Sequence, residues 1–168
     1  MIGLSNSSGS KVLYLDFSAT PSLIWSMDFG SASANNKVRI NDFNVCDSSS
    51  GAFELAGSSF NGAFFYAYIM RLSETDGSLV WQETYLESIY GASFLSFSCD
   101  SSTIFAAMVD YGDSNGELNK GVNSYLIKYS ISGVSITETS SKVISEGSFS
   151  VLNQVEYSSA NSAVYTTY

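Results

Sequence analysis

Ala67-Tyr-Ile-Met-Arg-Leu72, followed by Leu79-Val-Trp81, repeats an earlier stretch, Lys11-Val-Leu-Tyr-Leu-Asp16 followed by Leu23-Ile-Trp25. The two tryptophans stand 56 residues apart (81 − 25). A third copy, Ser124-Tyr-Leu-Ile-Lys-Tyr129, runs on to Val134-Ser-Ile136, with Thr137 where the tryptophan stood. Between the copies a second motif recurs as Phe43-Asn-Val-Cys46-Asp-Ser-Ser49, Phe97-Ser-Cys99-Asp-Ser-Ser102 and Val155-Glu-Tyr157-Ser-Ser159. The cysteines are 53 residues apart (99 − 46), and Cys99 to Tyr157 is 58. Short apolar runs recurring at such an interval predict radial or stacked β architecture.

Working outward from these copies, clusters of Ser, Asn, Asp and Gly punctuate the chain at regular places, and Pro21 is its one proline. Between the clusters lie runs rich in aromatic and β-branched residues, which read as strands. They are Lys11–Phe17, Leu23–Phe29, Val38–Cys46, Ala52–Phe60, Phe65–Leu72, Leu79–Tyr85, Ser93–Cys99, Ile104–Tyr111, Ser124–Ser130, Ser135–Thr139, Ser148–Tyr157 and Ala163–Thr167. Gln82–Ile89 could be helical by period, but it lacks caps and runs into Gly91, so it is read as non-helical. The longest connection is Gly112–Asn123.

The runs group into a half unit at 11–30, full four-stranded units at 38–86 and 93–140, and a half unit at 148–168. That gives two, four, four and two strands, or three units' worth. The expectation is a single all-β module with a half unit at either end. Bare half units are edge hazards, so the terminal strands are expected to be completed by another chain or by further sequence.

The best-fitting stretch is Glu54–Trp81, with Leu55-Ala-Gly57, Tyr68-Ile-Met-Arg-Leu72 and Gly77-Ser-Leu-Val-Trp81. Asp100-Ser-Ser-Thr-Ile-Phe-Ala-Ala-Met108 with Ser124-Tyr-Leu-Ile-Lys-Tyr129 follows the same order. In this the chain resembles a large class of β-propeller repeat proteins. Their blades read Asp-x-x-Gly-x-x-Tyr-Val-x-Gly, then Phe-Val-x-Lys-Leu-x-x-x-Gly-x-x-x-Trp. The resemblance implies four-stranded blades and a secreted or cell-surface setting. It specifies fold far better than function.

Sixteen acidic residues against seven basic ones give a net charge of −9. A chain with so few cations has no footprint for a phosphate backbone or an anionic bilayer, so neither nucleic acid nor membrane insertion is expected. No run of eighteen apolar residues occurs, and Met1-Ile-Gly-Leu-Ser-Asn6 lacks the basic start and apolar stretch of a secretory signal.

Histidine is absent, which removes Ser-His-Asp and Cys-His nucleophile systems and imidazole metal ligation. Asp16, Asp28, Asp42 and Glu83 are candidate carboxylates for glycoside chemistry, although no spacing brings two of them together. Asp113, Asn115 and Glu117 alternate as calcium ligands do, without the rest of such a loop. Asn6-Ser7-Ser8 is an N-glycosylation sequon. Cys46 and Cys99 occupy matching places in successive units, which on neighbouring blades are expected to lie beyond the ~7 Å Cα reach of a disulfide. Two buried thiols are therefore expected. Trp25 and Trp81 are expected to fill equivalent inter-blade slots.

The chain thus reads as a non-catalytic structural or adhesive module without cofactor, acting through self-assembly of its terminal strands into a ring or a filament, or as part of a larger surface protein. The rival reading is a lectin-like propeller that binds glycan. For either, the resemblance implies a setting outside the cell or at its surface.

Overall fold

In the computed structural model of the chain, the described residues are 2–6, 9–16, 18–29, 37–60, 62–85, 91–110, 123–145 and 152–167. They are all-β. The strands are β1 (Ile2–Asn6), β2 (Gly9–Asp16), β3 (Ser22–Phe29), β4 (Lys37–Asn44), β5 (Ala52–Phe60), β6 (Phe65–Ser73), β7 (Leu79–Tyr85), β8 (Ala92–Cys99), β9 (Thr103–Asp110), β10 (Ser124–Ser132), β11 (Ser135–Ser145), β12 (Gln154–Ser158) and β13 (Ala163–Thr167). No helix occurs among the described residues, so none is long and apolar enough to cross a membrane.

Four antiparallel sheets follow one another in chain order, β1-β2-β3, β4-β5-β6-β7, β8-β9-β10-β11 and β12-β13. The two complete sheets are blade-type meanders. The first sheet holds one strand more than the sequence suggests, because Ile2–Asn6 pairs antiparallel with Gly9–Leu13. Its last two strands match the third and fourth of a full sheet, so β1 fills the second place, and none of the described residues fills the first.

Strand β11 is also longer than the expected Ser135–Thr139. That strand runs on to Ser145 as the outer edge of its sheet, where serines and Lys142 meet water. Polar and charged side chains on an outer edge guard it against further pairing.

A β-bulge marks the repeat more regularly than any residue type does. Register shifts fall at Tyr14/Leu15, Arg71/Leu72 and Lys128/Tyr129, always in the third strand against the fourth. Tyr14, Arg71 and Lys128 are each 57 residues apart. Trp25 lies opposite Tyr14, Trp81 opposite Arg71 and Ser140 opposite Lys128. This shifts the sequence alignment by one in the first copy and replaces Thr137 by Ser140 in the third. A second bulge, in the first strand of each full sheet, lies between Ile40 and Asp42 and between Phe94 and Ser96. Gly57 serves the former: a Cβ there would strike the Arg39 carbonyl, which the Tyr68 hydroxyl also reaches at 3.0 Å.

The recurrent Asp-x-Ser has a local cause. Asp16, Asp47, Asp76 and Asp100 each accept both the N–H and the hydroxyl of the serine two residues on, closing the turn. These bonds hold the Asp16, Asp47 and Asp76 carboxyls below the usual range.

The core lies between the sheets. One apolar layer joins Val12, Trp25 and Met27 to Phe53, Leu55 and Tyr68 of the second sheet. The next joins Ile69 and Trp81 to Phe94, Ile104 and Tyr129 of the third. A smaller one joins Ala107 and Phe105 to Leu152 and Val155 of the last. The two indoles hold equivalent register positions facing the following sheet. Trp81 is buried, whereas Trp25 is half-buried, stacked between Tyr14 and Phe53 and donating to the Glu74 carbonyl at 2.7 Å.

Candidate functional site

The features most suggestive of function are the junctions between successive first strands, β4, β8 and β12. Each first strand is the edge of its own sheet, so its outward backbone groups need partners elsewhere. The chain supplies them from the side chains of the preceding first strand. The Phe97 N–H donates to Asp42 Oδ2 at 2.9 Å, and the Asn41 amide donates to the Phe94 carbonyl at 2.6 Å. One sheet further on, Val155 N–H reaches Ser96 Oγ at 3.5 Å and Tyr157 N–H reaches Ser98 Oγ at 3.0 Å. Asp42 and Ser96 both follow a bulge, and a bulge re-aims the next side chain. The third strands contribute in the same sense. Ser10 Oγ donates to the Val38 carbonyl and accepts from Ile40 N–H, and Ser124 Oγ accepts from Leu152 N–H.

A covalent link crosses the β4–β8 junction. Cys46 and Cys99 form a disulfide with their Cα atoms 5.2 Å apart. This overturns the expectation of two free thiols. That expectation took matching places on neighbouring sheets to lie beyond bonding reach, whereas the first strands converge here, and Cys46 stands one residue past Val45, the register match of Cys99.

Beside it lies a buried ion pair that the sequence reading missed. Glu54 (0 % exposed) and Arg71 (6 %) face each other across β5 and β6, with Arg71 Nε donating to Glu54 Oε1 at 2.6 Å. The other carboxylate oxygen accepts the Cys46 N–H at 3.1 Å. The guanidinium sits 5.9 Å from the Trp81 ring centroid. Burial raises the Glu54 carboxyl above its ordinary 4.5, against the opposing pull of the Cys46 amide and Arg71. The signal was present: the blade motif puts a basic residue in the third strand, and a basic residue facing the next sheet needs an acid beside it.

The sequence candidates fare differently. Asp113, Asn115 and Glu117 lie outside the described residues. Asn6 pairs with Gly9 at the end of the first hairpin. Asp16 is engaged by Ser18, and Asp28 by Lys11 at 3.2 Å. Asp42 accepts the Phe97 and Phe43 N–H groups, and Glu83 sits on β7 opposite Ile69. Among the described residues, the one cluster of three potential metal-ligating side chains is Cys46, Glu54 and Cys99. Its two sulfurs are already bonded to each other.

Among the described residues, the first sheet supplies no first strand ahead of β4. Phe97 is 3 % exposed and Val155 1 %, yet Phe43, their counterpart, is 46 % exposed, with Val45 at 43 %. Phe43 lies opposite Leu55, on the face toward the first sheet. The Phe43 and Val45 N–H groups turn back to the side chains of Asp42 and Asn44, their own neighbours, at 2.9 Å each. A direct comparison measures this asymmetry. Phe97→Ala is expected to cost about 3–5 kcal/mol in denaturant unfolding, as a buried core truncation does. Phe43→Ala is expected to cost under about 1 kcal/mol.

Between the first two sheets is a cavity of about 240 Å³, lined chiefly by Met27, Phe29, Val38, Met70, Leu72 and Leu79. It presents thioether and hydrocarbon, with few groups to match a sugar's hydroxyls.

No protein-family model matches the chain, and no curated protein matches it.

Proposed function

We propose that the chain is a non-catalytic structural module of β-propeller type that works by assembling with further copies of itself, in a ring or a filament, outside the cell or on its surface. The observation that carries this reading is the unfinished stacking at the two outer sheets. Every internal first-strand junction is stitched by side-chain acceptors and covered by apolar packing. Among the described residues, the Phe43–Val45 segment at the end of β4 has neither from a preceding strand, and the last sheet comprises the β12–β13 hairpin. Strand addition at such an edge gains backbone hydrogen bonds and apolar burial together. A head-to-tail contact of this kind closes into a ring or propagates into a filament according to its rotation. The lectin-like alternative gains no support from the apolar cavity.

Sedimentation velocity over a micromolar concentration series tests the reading. The full chain is expected to associate, and deletion of residues 148–168 to leave a monomer. Phe43→Lys, an exposed change that spares the fold, is expected to do the same. A full chain that stays monomeric at hundreds of micromolar would rule the reading out.

A further inference from the structure

The β12 strand carries what the open part of β4 lacks. At the two internal junctions the acceptor is the residue just before the conserved apolar position: Asp42 before Phe43, and Ser96 before Phe97. Gln154 stands just before Val155, in the same place. Ser98, which receives the Tyr157 N–H, is matched on β12 by Glu156. Gln154 and Glu156 are both exposed, on the side of β12 away from the third sheet, and the Gln154 amide donates to the Glu156 carboxylate at 3.2 Å. A second β12 laid on β4 in the register already used twice would bring the Gln154 amide oxygen to Phe43 N–H. The Glu156 carboxylate would meet Val45 N–H, and the strand would cover Phe43.

One element stands in the way. In a full sheet β12 would be the first strand and β13 the second, followed by β2 and β3. The second place is held by β1, paired along five residues with β2. Five strands cannot share four places.

We propose that the first-strand position over Phe43 and Val45 receives the β12–β13 hairpin of a second copy, and that β1 is a built-in placeholder which β13 must displace. Self-association is then a strand exchange, with β1 opposing it. The inference rests on the assembly reading above, but it predicts an effect of the opposite sign. Removing residues from the N-terminal end strengthens association, whereas removing the C-terminal hairpin abolishes it.

The test compares the full chain with a chain lacking residues 1–8 and with the double variant Gly3→Pro, Leu4→Pro. The double variant keeps the chain length but removes two adjacent N–H groups, one of which must face β2. Sedimentation velocity reads the dissociation constant. Both altered chains are expected to associate at least tenfold more tightly, and faster, than the full chain. Adding Phe43→Lys is expected to abolish association in both. Equal or weaker association on loss of β1, while the full chain still assembles, would overturn the exchange and leave the assembly reading standing. Tighter association that survives Phe43→Lys would place the contact elsewhere and also overturn it. No association in any chain would remove both.

Discussion

Replacing Cys46 and Cys99 together by serine is expected to lower the unfolding free energy by about 4 kcal/mol. The bond closes a loop of 53 residues, and the chain-entropy relation for a loop of that length gives this figure. For a chain of this size the loss corresponds to a fall in Tm of roughly 8–16 °C. The same shift is expected when the native protein is unfolded in excess reductant, because both routes free the same denatured chain. Calorimetry with and without dithiothreitol measures it. A change below about 1 kcal/mol would show that the β4–β8 junction holds without its covalent link and that the denatured state is scarcely restricted by it.

The second large effect is expected at the Glu54–Arg71 pair. Glu54→Ala leaves a guanidinium inside the second sheet without its counter-charge and the Cys46 N–H without its acceptor. The expected cost is about 3–5 kcal/mol. The double variant Glu54→Met, Arg71→Leu is expected to recover most of it, since removing both charges leaves neither uncompensated. The pH dependence follows from the raised Glu54 carboxyl. A carboxyl whose folded pKa exceeds its unfolded one adds most stability when protonated, below the unfolded value near 4.5. That contribution is lost as pH rises through the folded value. The gap between the native chain and Glu54→Ala is therefore expected to widen as pH falls from 8 toward 4.5. A gap that narrows in urea titrations would mean that the pairing with Arg71 outweighs desolvation.

Much of the fold is legible in the residues, because alternation and turn chemistry are local signals. Leu79-Val-Trp81 and Phe97-Ser-Cys99 announce their strands, and Asp-x-Ser announces its turns. β1 escaped because Ile2-Gly-Leu-Ser-Asn6 has weak alternation and a glycine, and is held by pairing with β2. β11 was cut short because its outer end is polar for reasons of exposure. The bulges at Tyr14, Arg71 and Lys128 have no sequence signature, and the span from bulge to tryptophan is 11 residues in the first copy (Tyr14 to Trp25) and 10 in the second (Arg71 to Trp81), so matching the tryptophans displaces the first copy's third strand by one. The disulfide was missed for a geometric reason: the repeat puts Cys46 and Cys99 near the same point of successive first strands, but the distance between them depends on how near those strands converge. The open segment at Phe43 is not visible from the residue itself, since Phe43 and Phe97 read alike. Only the missing neighbour separates them.

The cross-link between Cys46 and Cys99 also decides how the molecule answers to tension. Pulled from its two ends, the chain carries load through the sulfur bridge, and the segment between the cysteines lies off the force path. The separation of 53 residues along the chain holds roughly 180 Å of contour length in reserve at full extension. Even where sheets peel apart on either side, this length stays unspent until a reductant cuts the bridge, so the same force draws out a longer tether in a reducing medium than in an oxidising one.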